Sequence, residues 1–264
     1  MAQTTDFPDT GDLTDNVFLP RFSPICASGF EMSEGCQAIR NREIVDASEP
    51  PWRAVGRVNY ASINVRSYCT GTLVSDRVVV TAAHCLYNFA RKIWIPPKSI
   101  RFAAGYQRGS AEAVSSVDRY VMDPVNDPTR RDFLAWPRQD WAILILSDPI
   151  GAEVGVIPPL WRTADQLPPP DVTLAGYSGL REHVLSLARD CGTGRFDSDS
   201  QTLVQFCSAM SGDSGAPIIA TPDGKPSLAA ILTGVLPRAE GFFSVGIPVA
   251  NFEAELRATL NATR

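Results

Sequence analysis

A serine hydroxyl becomes a nucleophile when a neighbouring base takes its proton during attack, and histidine is the side chain whose basicity suits that task near neutral pH. The chain offers two histidines, His84 and His183. His183 lies in Gly179-Leu180-Arg181-Glu182-His183-Val184, with no small-residue turn around it. His84 ends Val78-Val79-Val80-Thr81-Ala82-Ala83-His84-Cys85, where two alanines leave room for a substrate to approach. A candidate nucleophile sits in Ser211-Gly212-Asp213-Ser214-Gly215-Ala216-Pro217. Glycines on both sides of the Asp-Ser pair permit a sharp bend, and the Gly212 and Ser214 amides are the natural donors to a developing oxyanion. A third segment, Asp140-Trp141-Ala142-Ile143-Leu144-Ile145-Leu146, places a carboxylate before an apolar run. A buried carboxylate is what a working imidazole needs to fix its tautomer and stabilise the imidazolium.

Each piece alone has a plainer explanation. A lone histidine is usually a satisfied core or surface residue, Gly-Asp-Ser-Gly is a good turn, and Asp140 is a turn carboxylate ahead of a strand. The order His84, Asp140, Ser214, each in its own flanking pattern, is what joins them. The serine turn reads Gly-Asp-Ser-Gly-Ala and not G-x-S-x-G, so the strand–elbow–helix of the α/β-hydrolases is not indicated.

The elements that must position these residues are short and β-rich. From Ile44 onward, runs such as Ala54–Val58, Arg77–Thr81, Trp141–Leu146, Val172–Ala175, Pro217–Ala220 and Leu228–Leu232 are broken by Gly, Pro, Asn and Asp. With 19 Gly and 21 Pro to make turns, this density of strands reads as a sandwich or barrel. Residues 123–140, polar and Pro-containing, form the connection expected to join two β halves. The one convincing helix is the last, with Asn251 as its expected cap and Phe252, Leu256 and Leu260 at four-residue spacing. Residues 1–43 hold few periodic apolar positions and read as a lead segment with one small tied loop around Cys26 and Cys36. No internal repeat or low-complexity tract interrupts the chain.

At 264 residues, 44% apolar and 20% charged, the chain can bury a sizeable core and lacks the signature of disorder. Its 24 Lys+Arg against 29 Asp+Glu leave it acidic, which disfavours a nucleic-acid backbone binder. No apolar run is long enough to span a membrane as a helix. The N-terminus lacks the basic start and apolar stretch of a signal peptide, so the chain is either cytosolic or numbered after a signal was removed. The six cysteines favour the second case. They fall into three local couples, Cys26 with Cys36, Cys69 with Cys85 and Cys191 with Cys207, and an even count at such spacings suggests disulfides, although spacing leaves other connectivities open. No C-x-x-C is present and histidines are scarce, so a zinc site is weakly supported. The chain is therefore read as secreted or periplasmic.

Taken together, the three segments resemble those of the chymotrypsin/trypsin-like serine proteases. The likeness runs from about Ile44 to Leu260. The segment Cys69 to Cys85 is similar to that family's histidine segment with the disulfide that brackets it, Asp140 to Gly151 to its aspartate segment, and Gly212 to Pro217 to its serine loop. Ile44-Val45 with Pro51-Trp52 resembles its mature N-terminus. The resemblance implies an all-β fold of two six-stranded antiparallel β-barrels with a C-terminal α-helix, the cleft between them holding His84, Asp140 and Ser214, and no metal or organic cofactor. It implies protein or peptide substrates, a protease domain over 44–264 and a pro-segment or N-terminal extension over 1–43. An activating protease would cut before Ile44, whose new ammonium would pair with Asp213. Substrate-pocket positions carried over are Ser208, Thr233, Val235 and Ser244; without an acid at Ser208, small to medium apolar side chains are expected there.

Departures from the family pattern are informative. Met210 and the stretch Thr233–Val235 lack the cysteines usual in the animal enzymes, and Cys191/Cys207 is a layout more like the bacterial branch that contains glutamyl endopeptidases. Asp46-Ala47 replaces a Gly-Gly, and Trp141 stands where a smaller residue is usual. A rival from another class is a protease-fold module that binds without catalysis, but such modules commonly lose triad residues and this chain keeps all three.

Overall fold

The computed structural model describes residues 34–263 apart from 62–65, 130–132, 134–135, 163–165, 167–168, 170, 190 and 238–241. A short helix, α1 (Glu34–Arg40), leads into strand β1 (Glu43–Ile44). Six further strands close into a barrel in the order β2-β3-β4-β9-β8-β7. They are β2 (Val55–Ala61), β3 (Arg66–Leu73), β4 (Val78–Ala82), β7 (Ile100–Ala104), β8 (Ala113–Met122) and β9 (Trp141–Leu146), with the small hairpin β5 (Tyr87–Asn88) and β6 (Ile93–Trp94) outside it. After a short helical turn α2 (Gly151–Val154) come β10 (Thr173–Gly176), β11 (Ser186–Ala188), β12 (Arg195–Asp197), β13 (Thr202–Gln205), β14 (Pro217–Ala220), β15 (Ser227–Pro237) and β16 (Phe242–Pro248). Helix α3 (Glu253–Ala262) ends the chain.

The strands form where β-branched and aliphatic residues can be buried on both faces. Every residue of β4 and β9 is buried, and such runs belong at the centre of a packed barrel. Their register sets the site: Ala82 pairs with Trp141 at the end of the β4–β9 ladder. His84, two residues past Ala82, therefore meets Asp140, one residue before Trp141.

One expectation is met in part and two are corrected. The second half is one eight-stranded sheet, β1-β11-β10-β14-β15-β16-β13-β12, not a closed six-stranded barrel among the described residues. Glu43, the last residue of the lead segment, and Ile44 form β1 at one edge, and β12 extends the other. Residues 123–140 join β8 to β9 inside the closed barrel, so the crossing between halves lies at 147–172; polar, Pro-containing composition marks a surface loop without saying which strands flank it. Asn251 does not cap the last helix: its amide donates to the Gln201 carbonyl at 2.8 Å, and the helix follows a 3-10 turn over Val249–Phe252.

Among the described residues no helix is long and apolar enough to cross a membrane.

Candidate active site

The imidazole and carboxylate meet as the register requires. Asp140 is fully buried, and one oxygen, Oδ1, accepts the His84 backbone N–H at 2.8 Å. The other, Oδ2, lies 2.6 Å from His84 Nδ1 and also accepts the Thr233 hydroxyl. The backbone N–H can only donate, so Oδ1 is committed to it and Oδ2 faces Nδ1. A carboxylate there favours the tautomer with its proton on Nδ1, leaving Nε2 as the acceptor. The ring itself is 8% exposed.

Thr233 reaches the carboxylate through a local irregularity. The β15–β16 register steps from Leu232↔Gly246 to Gly234↔Val245, leaving Thr233 as the extra residue of a bulge. Bulges re-aim side chains in this way.

Ser214 lies in a tight turn fastened to the first barrel. The Thr70 amide donates to the Ser214 carbonyl at 2.9 Å, and the Thr70 hydroxyl donates to the Gly212 carbonyl at 2.8 Å. Thr81 in turn donates to the Thr70 carbonyl at 2.8 Å. Among the described residues neither the Gly212 nor the Ser214 amide donates to a protein acceptor. Gly212 has φ +95°, and a Cβ on it would lie 2.3 Å from the Tyr177 carbonyl oxygen. Gly215 is equally constrained, since a Cβ there would lie 2.2 Å from Thr81 Oγ1. Only glycine fits either place. The Ser214 carbonyl also lies 3.9 Å from Cys85 Sγ, the neighbour of His84.

The remaining predicted residues separate into groups. Val235 and Ser244 are direct partners across β15 and β16, and Ser244 is buried with no protein partner for its hydroxyl among the described residues. Ser208 gives its carbonyl to Arg42. Thr233, expected along the pocket, points its hydroxyl at Asp140. Ile44, expected to meet Asp213, is 47% exposed in β1, opposite Ser186. Asp213 is instead paired with Arg42, with Nη1 to Oδ1 and Nη2 to Oδ2 both at 2.9 Å. Cys69–Cys85 and Cys191–Cys207 are bridged. Cys36 is disulfide-bonded, while Cys26 lies outside the described residues. The Cys69 and Cys85 sulfurs lie within 4.8 Å of a His84 nitrogen, but sulfurs bonded to each other are not thiolate ligands for a metal.

Sequence reasoning missed Arg42, Thr70 and Tyr68. The Tyr68 ring lies under the Arg57 guanidinium, 3.9 Å from its centroid, and beside Gly212, where a Cβ would come within 2.8 Å of it. Burial pushes its phenol well above the ordinary tyrosine value, and nearby Glu182 adds to the rise. A basic residue two places before the Ile44-Val45 pair was the one available signal for Arg42; buried threonines in strands gave none.

Comparison with known proteins bears on the family and the fold. The family model described as Trypsin matches residues 41–254. A trypsin of Phaedon cochleariae is 27% identical over 175 residues, 58% of this chain, and the match spans 64% of that protein's length. Three solved structures share the fold at a TM-score of 0.60. A thermostable serine protease, AL20, from an extremophilic microorganism is 19% identical and covers 76% of this chain and 94% of its own. The protease Anisep from Arthrobacter nicotinovorans is 15% identical, covering 78% and 97%. A Glu endopeptidase solved with MPD is 17% identical, covering 82% and 95%. With its family model matched over most of its 264 residues, this chain belongs to the trypsin family.

Proposed function

We propose that the protein is a serine endopeptidase, secreted or periplasmic, acting on protein or peptide substrates through an acyl-enzyme. Ser214 attacks the scissile carbonyl while His84 Nε2 takes its proton; the imidazolium then delivers that proton to the leaving amine. Asp140 holds the ring with Nδ1 protonated and offsets the imidazolium charge. The Gly212 and Ser214 amides receive the tetrahedral oxyanion. In the second half water attacks the acyl-enzyme, with His84 as base, and Ser214 is regenerated. No step calls for a metal or an organic cofactor.

The observation that carries this reading is the double engagement of Asp140, through Oδ1 to the His84 backbone and through Oδ2 to its Nδ1. A binding module would have no reason to keep a fully buried carboxylate committed to one imidazole. Ser208, Val235 and Ser244 remain the proposed pocket, and the absence of an acid at Ser208 supports small to medium apolar side chains before the cut. The test is a peptide-library profile of the wild type beside Ser214→Ala. Cleavage after apolar residues, lost in the variant, is the expected result; a variant that cleaves as well as the wild type removes the proposal. A profile dominated by Arg, Lys or Glu removes the pocket assignment alone.

A further inference from the structure

We infer that Arg42 is the built-in counter-ion of the Ser208–Ser214 turn, so that the chain is active with the Glu43–Ile44 bond intact and needs no activating cut. The inference rests on the endopeptidase reading above and concerns how that site is switched on.

The guanidinium and the Asp213 carboxylate form a two-pronged pair in which both side chains are essentially inaccessible, 1% and 0% exposed. Such parallel bonds are the strong, geometrically fixed kind. Nη2 donates in addition to the Ser208 carbonyl, and the Met210 amide donates to Asp213 Oδ2 at 3.0 Å. Arg42 therefore ties both ends of the turn that carries Gly212 and Ser214. Room for the carboxylate comes from Gly176, where a Cβ would lie 2.2 Å from Asp213 Oδ1. A buried carboxylate left without its partner is strongly destabilising, so the turn depends on whichever cation reaches it. In this chain that position is filled.

The segment bearing Arg42 is held in the fold. Helix α1 buries Ile39 and the disulfide-bonded Cys36. The Arg40 carbonyl accepts from Arg181, and the Arg42 amide reaches back to the Ile39 carbonyl at 3.4 Å. Beyond it, Glu43 and Ile44 pair with Leu187 and Ser186 on β11, and Glu43 meets Arg189 at 2.8 Å. An ammonium made at Ile44 would have to leave this exposed edge and displace a two-pronged guanidinium. Arg42 thus acts as a positioning residue: it touches no reacting atom and works through Asp213 on the Gly212 amide.

The chemistry of the cation gives a readout that mere structural support would not move. A guanidinium stays charged at every accessible pH, whereas an α-ammonium ordinarily loses its proton near about pH 8. The full-length chain, with mass spectrometry showing the 43–44 bond unbroken, is to be treated with a fluorophosphonate before and after limited proteolysis. Arg42→Gln and Arg42→Lys are to be assayed for ester hydrolysis over a pH series. We expect the intact chain to label at Ser214 as fast as the cut chain, and its kcat not to fall between about pH 8 and 10. Arg42→Gln should lose roughly 10²-fold in kcat, the scale of losing one oxyanion donor, with KM little changed. Arg42→Lys should retain activity at neutral pH and lose it as rising pH strips its proton. Labelling of the cut chain alone overturns the inference, as does a folded Arg42→Gln with wild-type kcat. If Arg42→Gln fails to fold, the wild-type comparison and the lysine variant decide. Labelling of neither form would overturn the endopeptidase reading itself, and the inference with it.

Discussion

Replacing Asp140 with Asn exchanges one acceptor oxygen for an NH2 donor at a position where the surroundings permit only one arrangement. The His84 backbone N–H, 2.8 Å from Oδ1, cannot accept, so the amide oxygen must remain there. The NH2 group is then forced against His84 Nδ1, at the 2.6 Å contact. Thr233 can turn to accept from it, but Nδ1 must give up its proton to do so, and that proton moves to Nε2. The ring then presents a donor to Ser214 where an acceptor is required. The lost charge adds a second penalty. An imidazolium and a carboxylate about 4 Å apart attract by about 4 kcal/mol at an effective dielectric constant of about 20, which is about three powers of ten in rate. With the tautomer penalty included, kcat should fall by roughly 10³- to 10⁴-fold. KM should hardly change, because among the described residues the Asp140 carboxylate bonds only His84 and Thr233. Steady-state hydrolysis of a peptide ester at neutral pH, on a variant whose circular dichroism matches the wild type, measures this. A loss below about tenfold in kcat, or a loss confined to KM, would refute the reasoning that the carboxylate orients the imidazole.

Two other predictions follow from the packing. Gly212→Ala would put a methyl group 2.3 Å from the Tyr177 carbonyl at φ +95°, so the turn must shift; kcat should fall by about 10²- to 10³-fold, and a variant as active as the wild type would place the oxyanion elsewhere. Burial raises the phenols of Tyr68, Tyr120 and Tyr177, that of Tyr120 to about 12. Because the folded chain holds these protons after the unfolded chain has released them, their stabilising contribution is complete below about pH 10 and is lost as pH rises toward the folded values. Melting temperature should therefore fall with pH above about 10, and less steeply in Tyr120→Phe; an unchanged slope in that variant would contradict the assignment.

Much of the site was legible because its chemistry is carried by short segments with strong local signals. The Val78-Val79-Val80 run could only be a buried strand, and the two glycines around Asp213-Ser214 could only make a tight turn. Once β4 pairs with β9, the meeting of His84 and Asp140 follows from register. Other features depend on long-range packing and leave no local trace. The contact of Thr233 with Asp140 comes from a bulge against β16, and Thr70 holds the Ser214 turn from the opposite barrel. Arg42 was hidden because the segment before Ile44 looks apolar-poor, and nothing local to it tells that its guanidinium is buried against Asp213 and the Ser208 carbonyl, 171 and 166 residues away. The crossing at 147–172 was misplaced for a related reason: polar, Pro-rich composition identifies loops but not the sheets they connect.

The account turns on Ser214 becoming acylated with His84 as its base, and a pre-steady-state burst on the full-length chain tests that most directly. Mixing the protein with a chromogenic ester should release about one equivalent of leaving group per chain before steady turnover. Acid-quenched mass spectrometry should then find the acyl group on the peptide that contains Ser214, and Ser214→Ala should show neither burst nor adduct. A wild type that turns over the ester with no adduct at Ser214, or with the adduct on another residue, would contradict the account.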